Sequence, residues 1–216
     1  MIDREKVILS VTRKFIDNPS EREINSIIAS QNGKCAFCEI DIQKHAKIHA
    51  EEEGEFVALC SICNGSQHIE SLNGETDGVI IMLSDLTQVE LISLSRTIEF
   101  LKRLDPEEYS EDIDSAIVIK ILIEEGANSA ERYFGEGSSD IELIAQALIN
   151  QDDESYANRE EGLYTMKWLP NYDSFKEEID YWFGLLMKDE SSPYHPLKWE
   201  GMMQEMKKKK KNQKKA

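Results

Sequence analysis

The residues best suited to chemistry in this 216-residue chain are its four cysteines, which form two C-x-x-C pairs. Cys35 and Cys38 make the first pair, and Cys60 and Cys63 make the second after an interval of 21 residues. Four thiolates complete a tetrahedron around one zinc ion and leave no open position for water. The spacing therefore predicts a single structural Zn²⁺ ion bound by these four residues.

Two alternatives to a four-cysteine zinc site remain open from the sequence. A thioredoxin-like redox pair needs one C-x-x-C on a strand-to-helix turn, and it leaves the other pair without a role. A histidine could also replace one cysteine as a ligand, the candidates being His45, His49 and His68. Because a histidine in a loop is more often a surface residue than a ligand, we expect the four cysteines to form the shell.

The hairpin expected between the two cysteine pairs resembles the zinc-braced scaffold of HNH endonucleases. In that family a second divalent cation and a histidine base hydrolyse a phosphodiester. By this resemblance His49 stands where the base could lie, and Asn64 directly follows the second pair. Ile48, however, occupies the place of the expected acidic ligand, and Glu51–Glu53 would repel phosphates. We therefore predict no catalytic residues, and a metal-dependent DNA endonuclease is the alternative function.

Charge is distributed very unevenly along the chain. The formal net charge is −17, but the last ten residues, Lys207–Ala216, contain seven lysines and no acidic residue. Met1–Met206 carries 18 basic and 42 acidic side chains, a net charge of −24. Such an acidic body repels nucleic-acid phosphates. The Lys207–Lys215 segment is typical of a disordered, solvated tail. It could also contact an anionic membrane, nucleic acid or an acidic partner, or be attracted to the chain's own acidic body.

Periodicity and turn signals predict an α+β fold in three parts. Residues 1–83 form an N-terminal segment with the HNH-like zinc module of short strands and one strand after it. Residues 84–190 form a mainly α-helical body, and residues 191–216 form a linker and a lysine-rich disordered tail. The N-terminus lacks a signal-peptide pattern, and no apolar run is long enough for a bilayer span. A cytoplasmic location is therefore expected.

Four capping-box sequences, in which Ser or Thr is followed three residues later by Glu, mark the expected helix starts. They predict helices over residues 20–30, 88–104, 139–150 and from 174 onward. A further helix around residues 113–124 is apolar on most sides, so we expect it to be buried and to stop at Gly126. Strands are expected at residues 6–12, 56–59 and 79–83. The Gly135-x-Gly137 sequence predicts a tight turn before the helix that follows.

Several motifs follow the cysteine pairs in a fixed order. They are Leu83–Leu91 (LSDLTQVEL), Glu131–Asp140 (ERYFGEGSSD), Trp168-Leu169-Pro170, and an amphipathic helix at Phe175. The most specific piece is FGEGSSD, at residues 134–140. Together these motifs resemble the IcmJ (DotN) family of type IVB secretion systems, over roughly residues 30 to 187. The lysine tail and the linker before it depart from that family.

The resemblance implies a non-enzymatic protein in a cytoplasmic coupling complex that lies peripheral to the inner membrane. There it would bind the C-terminal extension of the coupling ATPase, beside other subunits, and help deliver effector proteins to the channel. Related systems move conjugative DNA, so both kinds of substrate are possible. Aromatic side chains would anchor such a partner. The candidates, each more often a core residue, are Tyr133, Phe134, Trp168, Trp182 and Phe183.

Overall fold

A computed structural model describes residues 7–13, 19–51 and 54–189. The chain divides into two compact units, Met1–Lys176 and Glu177–Ala216. The first unit contains all the strands and seven of the eight described α-helices. The second contains nearly all of the last helix, α8 (Lys176–Lys188). The lysine tail and the linker before it lie outside the described residues.

The N-terminal part confirms one prediction and corrects another. Helix α1 (Glu21–Ser30) begins after Ser20, whose hydroxyl and backbone form the predicted capping box with Glu23. Residues 7–13, however, form no strand. Val7, Leu9 and Val11 are buried, and so is Ser10 between two of them, so the burial does not follow the alternation of a strand. The backbone of this segment instead bonds to the residues that follow the second cysteine pair, for example through the Ser10 N–H, which donates to the Ser66 carbonyl (3.1 Å).

A hairpin and a short helix follow α1. Strand β1 (Lys47–Ala50) pairs antiparallel with β2 (Phe56–Leu59), with His49 opposite Val57. The chain then enters helix α2 (Ser61–Gln67), and a 3₁₀ turn at Ile69–Ser71 follows it. β2 packs against α1, and α2 packs against α3 (Gln88–Leu101). Both strands also contact α2, so the hairpin packs against α1 and α2.

The second sheet joins distant parts of the sequence. β3 (Gly78–Met82) pairs antiparallel with β4 (Met166–Pro170), with Ile80 opposite Trp168. On β4 the backbone N–H of Trp168 donates to Gln88 Oε1 (2.9 Å), and Gln88 Nε2 donates to the Trp168 carbonyl (2.8 Å). The buried Gln88 side chain therefore takes the place of a third strand at this point, leaving no unpaired amide there.

Helix α4 (Pro106–Phe134), which has a kink at Tyr109, is much longer than predicted, because it continues through Gly126. Gly126 faces β3, where a Cβ atom would lie 3.0 Å from the Met82 carbonyl oxygen. The glycine therefore permits close packing of helix on strand instead of ending the helix. α3 and α4 pack on this sheet around a core cluster whose members are Ile81, Leu91, Ile98, Ala116, Ile123 and Leu169.

The turn after α4 is organised by one carboxylate. Glu131 accepts hydrogen bonds from the backbone N–H groups of Gly137 (2.8 Å) and Ser139 (2.9 Å). Gly135 and Gly137 adopt positive φ angles of 101° and 88°. This confirms the predicted tight turn within the FGEGSSD motif. The capping residue of the next helix, α5 (Ile141–Ile149), is Asp140 and not Ser139 as predicted.

Two short helices, α6 (Asp153–Ala157) and α7 (Arg159–Leu163), complete the region before β4. The predicted α+β class with a mainly helical body is confirmed. Among the described residues, no helix has both the length and the apolar character that a membrane span requires.

Candidate metal centre

The first cysteine pair lies in a tight turn that follows α1. Residues Lys34 and Asp41 form an antiparallel bridge that closes the turn. Within it, the Cys35 N–H donates to the Ile40 carbonyl (2.8 Å), and the Glu39 N–H donates to the Cys35 carbonyl (3.0 Å). These bonds turn both thiols of the pair toward the same side.

The second pair is positioned by a helix N-terminus. Cys60 directly follows β2 and is the N-cap residue of α2, where its sulfur accepts a hydrogen bond from the Cys63 N–H (3.3 Å). A helix N-terminus carries partial positive charge, which favours a thiolate at this position. One hairpin strand and one helix thereby present both thiols of this pair.

All four sulfur atoms lie within 4.8 Å of one another. The Cys38 and Cys60 sulfurs are 3.7 Å apart. Four sulfurs bound tetrahedrally to zinc at about 2.3 Å lie about 3.8 Å from each other. Cys35, Cys60 and Cys63 are buried, and Cys38 is half-buried. The geometry and the donor set therefore fit a metal ion such as zinc, and these four residues could hold one.

The electrostatic surroundings distinguish Cys38 from the other cysteines. Hydrogen bonds with Cys35, and then with Cys60 and Cys63, hold the pKa of the Cys38 thiol well below its usual range. Burial, in contrast, raises the pKa of the Cys60 thiol. Arg96 adds a cation, because its guanidinium donates to the Cys38 sulfur at 3.2 Å. Further thiolates in so buried a site require another cation to balance them, as a bound metal would.

The three histidines considered as substitute ligands lie outside this cluster. In the described part of the chain, the four cysteines are the group of His, Cys, Asp and Glu residues close enough together to hold a metal ion. His49 Nδ1 lies 2.9 Å from His68 Nε2, and His68 Nδ1 lies 2.8 Å from the Thr12 hydroxyl. His49 and His68 therefore form a chain of contacts that ends in the N-terminal segment.

The residues considered for a nuclease site are arranged differently from the expectation. His49 lies on β1 and is buried, with His68 as its ring partner. Burial, and then the neighbouring His68, lower the pKa of His49 to about 4. Asn64 lies on α2, and its side-chain oxygen is buried without a hydrogen bond. His49 thus contacts a second histidine that the nuclease comparison did not include.

Sequence reasoning missed two residues that hold the cysteine module in place. Gln31 forms a two-way clamp on β2: its amide donates to the Ala58 carbonyl, and its carbonyl accepts from the Ala58 N–H, both at 2.8 Å. Arg96 is the second. It lies among apolar residues of α3 and is only 7% exposed. A cation inside an apolar stripe is the one signal in the sequence that could have drawn attention to it.

Of the aromatic side chains considered as partner anchors, Trp168 and Trp182 are buried, whereas Tyr133 and Phe134 are exposed. Phe183 is half-buried. Of these five candidates, therefore, the pair at the end of α4 is the one that is largely exposed.

Comparison with known proteins gives one relative. No family model matches the chain. Over 158 residues the chain is 27% identical to the type 4 apparatus protein DotN of Legionella pneumophila subsp. pneumophila (strain Philadelphia 1). The match covers 68% of this chain and 72% of DotN. This similarity confirms the resemblance to the IcmJ (DotN) family that the ordered motifs predicted, and it makes the chain a relative of this type 4 apparatus protein.

Proposed function

We propose that this protein is a non-enzymatic, zinc-containing adaptor subunit of a type IVB secretion coupling complex. In this role it binds the C-terminal extension of the coupling ATPase and helps to deliver substrates to the channel. It is cytoplasmic and peripheral to the inner membrane through that complex. The observation that carries the proposal is the 27% identity to DotN over 158 residues.

The proposed zinc ion is structural and is bound by Cys35, Cys38, Cys60 and Cys63. The sulfur spacing supports this assignment, since it is close to that of a tetrahedral four-sulfur site. Four protein ligands leave no position for a substrate or a reactive water. Bound there, zinc would supply the cation that balances the buried thiolates and fixes the turn, the hairpin and α2 together.

Charge supports a protein partner over nucleic acid. Met1–Met206 carries a net charge of −24. A surface of that sign repels phosphate backbones. The substrate that is delivered, a protein effector or conjugative DNA, depends on the whole complex and not on this subunit alone. Contact of the Lys207–Lys215 tail with an anionic membrane or with nucleic acid remains a separate prediction, on residues outside those described.

The second candidate function is a metal-dependent HNH endonuclease. Its support is the hairpin and helix around the four cysteines, with His49 on the hairpin and Asn64 on the helix. A general base works best with a pKa near the operating pH. The pKa of His49, lowered to about 4, is poorly matched to hydrolysis at neutral pH. Incubation with plasmid DNA and Mg²⁺ or Mn²⁺ tests this candidate, and cleavage that is lost in His49→Ala would establish it.

Co-purification tests the adaptor function. The whole chain, expressed with the C-terminal extension of the coupling ATPase from the same cell, should elute with it as one complex. The complex should contain one zinc ion per chain by elemental analysis. Separate elution at micromolar concentrations would count against the proposed function, while zinc in the free chain would still support the metal site.

A further inference from the structure

Helix α4 exposes a group of large apolar side chains on its solvent side. Val118 is 56% exposed, Ile121 is 52% exposed and Leu122 is 63% exposed. Ile119, at 40%, lies farther round the helix, whereas Ile117, at 42%, adjoins Val118, Ile121 and Leu122 and forms one surface with them. We call these four residues the outer face of α4. The sequence had predicted this helix to be buried because it is apolar on most sides, and the structure contradicts that expectation.

The outer face lies opposite the side on which α4 meets the core. Ala116, Ile123 and Ala130 recur every seven residues and are buried. At about 100° per residue, Val118 and Ile121 point away from that line, on the far side of the helix. The apolar character of α4 therefore exceeds what its own fold needs. Contiguous exposed apolar groups of this kind mark interaction sites more often than isolated ones do.

The spacing of the outer face suits a helical partner. Ile117 and Ile121 form one row and Val118 and Leu122 form the next, each with a four-residue interval. Two such rows make a groove between neighbouring ridges, into which the apolar stripe of another helix packs. Tyr133, which is 70% exposed, lies eleven residues beyond Leu122 on the same side and extends the surface along the helix.

Charge around the outer face decides which partner fits. α4 contains eight acidic and two basic residues. Of the two, Lys120 is paired with Glu99 (3.3 Å) and Glu124 (3.7 Å). Asp114 precedes Val118 by one turn, and Glu125 follows Ile121 by one turn, so exposed acids border the apolar rows at both ends.

A second copy of the same helix would bring acidic residues against acidic residues. In an antiparallel pair, Asp114 of one helix would approach Glu125 of the other, and like charges across an interface are unfavourable. A helix whose apolar stripe is bordered by lysines or arginines would instead be attracted, because its positive charges would face these carboxylates. The same acids would also repel a nucleic-acid backbone.

We propose that the outer face of α4 is the docking surface for an amphipathic helix of a partner protein, with an apolar stripe bordered by lysines or arginines. This inference rests on the proposed function when it assigns that helix to the C-terminal extension of the coupling ATPase. Ile117, Val118, Ile121 and Leu122 contact the stripe. Asp114 and Glu125 pair with its basic border.

Calorimetric titration of that extension into the zinc-loaded chain tests the surface. The variant Val118→Ser/Leu122→Gln should weaken binding by at least about 30-fold, because central apolar contacts dominate helix-in-groove affinity. Both side chains are more than half exposed, so the circular dichroism spectrum and the melting temperature should stay unchanged. Ile149→Gln on α5, also exposed, is the matched control and should bind like the wild type.

A second variant tests the charge. Asp114→Lys/Glu125→Lys should weaken binding by about tenfold at low salt, with a smaller effect at high salt, because screening removes the attraction.

Three results would overturn the inference. If the wild type binds and Val118→Ser/Leu122→Gln binds within about twofold of it, the surface lies elsewhere while the proposed function stands. If the wild type self-associates in sedimentation and this variant does not, the outer face pairs copies of the chain. Failure of the wild type to bind the extension removes the proposed function as well as this surface.

Discussion

The guanidinium of Arg96 donates a hydrogen bond to the sulfur of Cys38 across 3.2 Å, which ties helix α3 to the cysteine cluster. Arg96 lies in the same helix as Leu91 and Ile98, which belong to the apolar core against the second sheet. The cysteine cluster and the helical core are therefore joined through one helix. A change at the cysteines is expected to reach α3, and a change in α3 is expected to reach the cysteines.

Replacing Arg96 with methionine should weaken metal binding by about 10- to 100-fold, as loss of a hydrogen bond to a ligand commonly does. The guanidinium stabilises the Cys38 thiolate, and methionine keeps most of the side-chain volume without the charge. Competition with a zinc chelator measures the change. Arg22→Met on the exposed side of α1 is the control. Equal zinc affinity in the Arg96 and Arg22 variants would show that the bond is irrelevant to the metal.

Replacing Cys60 with serine should remove the zinc and disorder the module from the first cysteine turn to α2. Cys60 has two roles, as a ligand and as the N-cap residue of α2. Because serine is also a good N-cap residue, the substitution tests the ligand role with the cap preserved. Elemental analysis should find less than one zinc ion per chain, and partner binding should fall with it. If the variant without zinc bound the partner with full affinity, the zinc-bound module would not be needed for partner binding.

Glu99 is a second point at which the fold depends on charge. Its carboxylate, whose side chain is 8% exposed, faces Lys102 at 3.0 Å, Lys120 at 3.3 Å and Arg103 at 3.6 Å. Glu99→Ala leaves these cations partly buried without their anion. It should lower the free energy of unfolding by about 3 kcal/mol. Urea denaturation measures this loss, and Glu111→Ala on the exposed part of α4 should change it by less than about 0.5 kcal/mol.

A stability change below about 1 kcal/mol for Glu99→Ala would mean that solvent compensates the three cations. In that case the link between α3 and α4 would rest on apolar contacts alone.

Stability should also depend on the ionisation of His49. Burial, and then His68, lower its pKa to about 4, so folding favours the neutral ring. The neutral His49 ring therefore contributes to the free energy of unfolding, and this contribution is fully present above the pKa of about 6.5 that the ring has in the unfolded chain. It is lost as the pH falls from there through about 4, with a limit of about 3 kcal/mol. His68 and Glu70 are the titratable groups beside this ring contact.

The His49 prediction is checked by following the ring proton resonances of this histidine in NMR between pH 3 and 8. A midpoint near 4 is expected. Comparison of the unfolding free energy with that of His49→Gln separates this effect from protonation of the cysteines. A midpoint near 6.5 would mean that the ring is solvated in the native protein.

Local sequence signals specified much of the fold because they act over a few residues. The capping boxes at Ser20 and Thr87 both formed, and the spacing of the four cysteines gave a single cluster of sulfurs. Gly126 was misjudged because its meaning depends on the backbone of β3, which is more than forty residues away in the chain. Its effect on packing is visible only once the strand is in place.

Interactions between distant segments could not be predicted in the same way. Ile80 pairs with Trp168, and Gln88 forms two hydrogen bonds with Trp168. Both interactions join residues that are eighty or more positions apart in the chain. The Arg96 contact with Cys38 is of the same kind. Periodicity reports which side of a segment is apolar, but not which partner covers it. The outer face of α4 shows this most clearly, since its apolar pattern led to a prediction of burial that is wrong.

The most direct test of the adaptor function is calorimetric titration of the coupling ATPase's C-terminal extension into the whole zinc-loaded chain at neutral pH. The account predicts saturable binding of one extension per chain, with a Kd of about 1 µM or tighter. Absence of binding at about 100 µM extension, under conditions in which the chain is folded and retains its zinc, would contradict it.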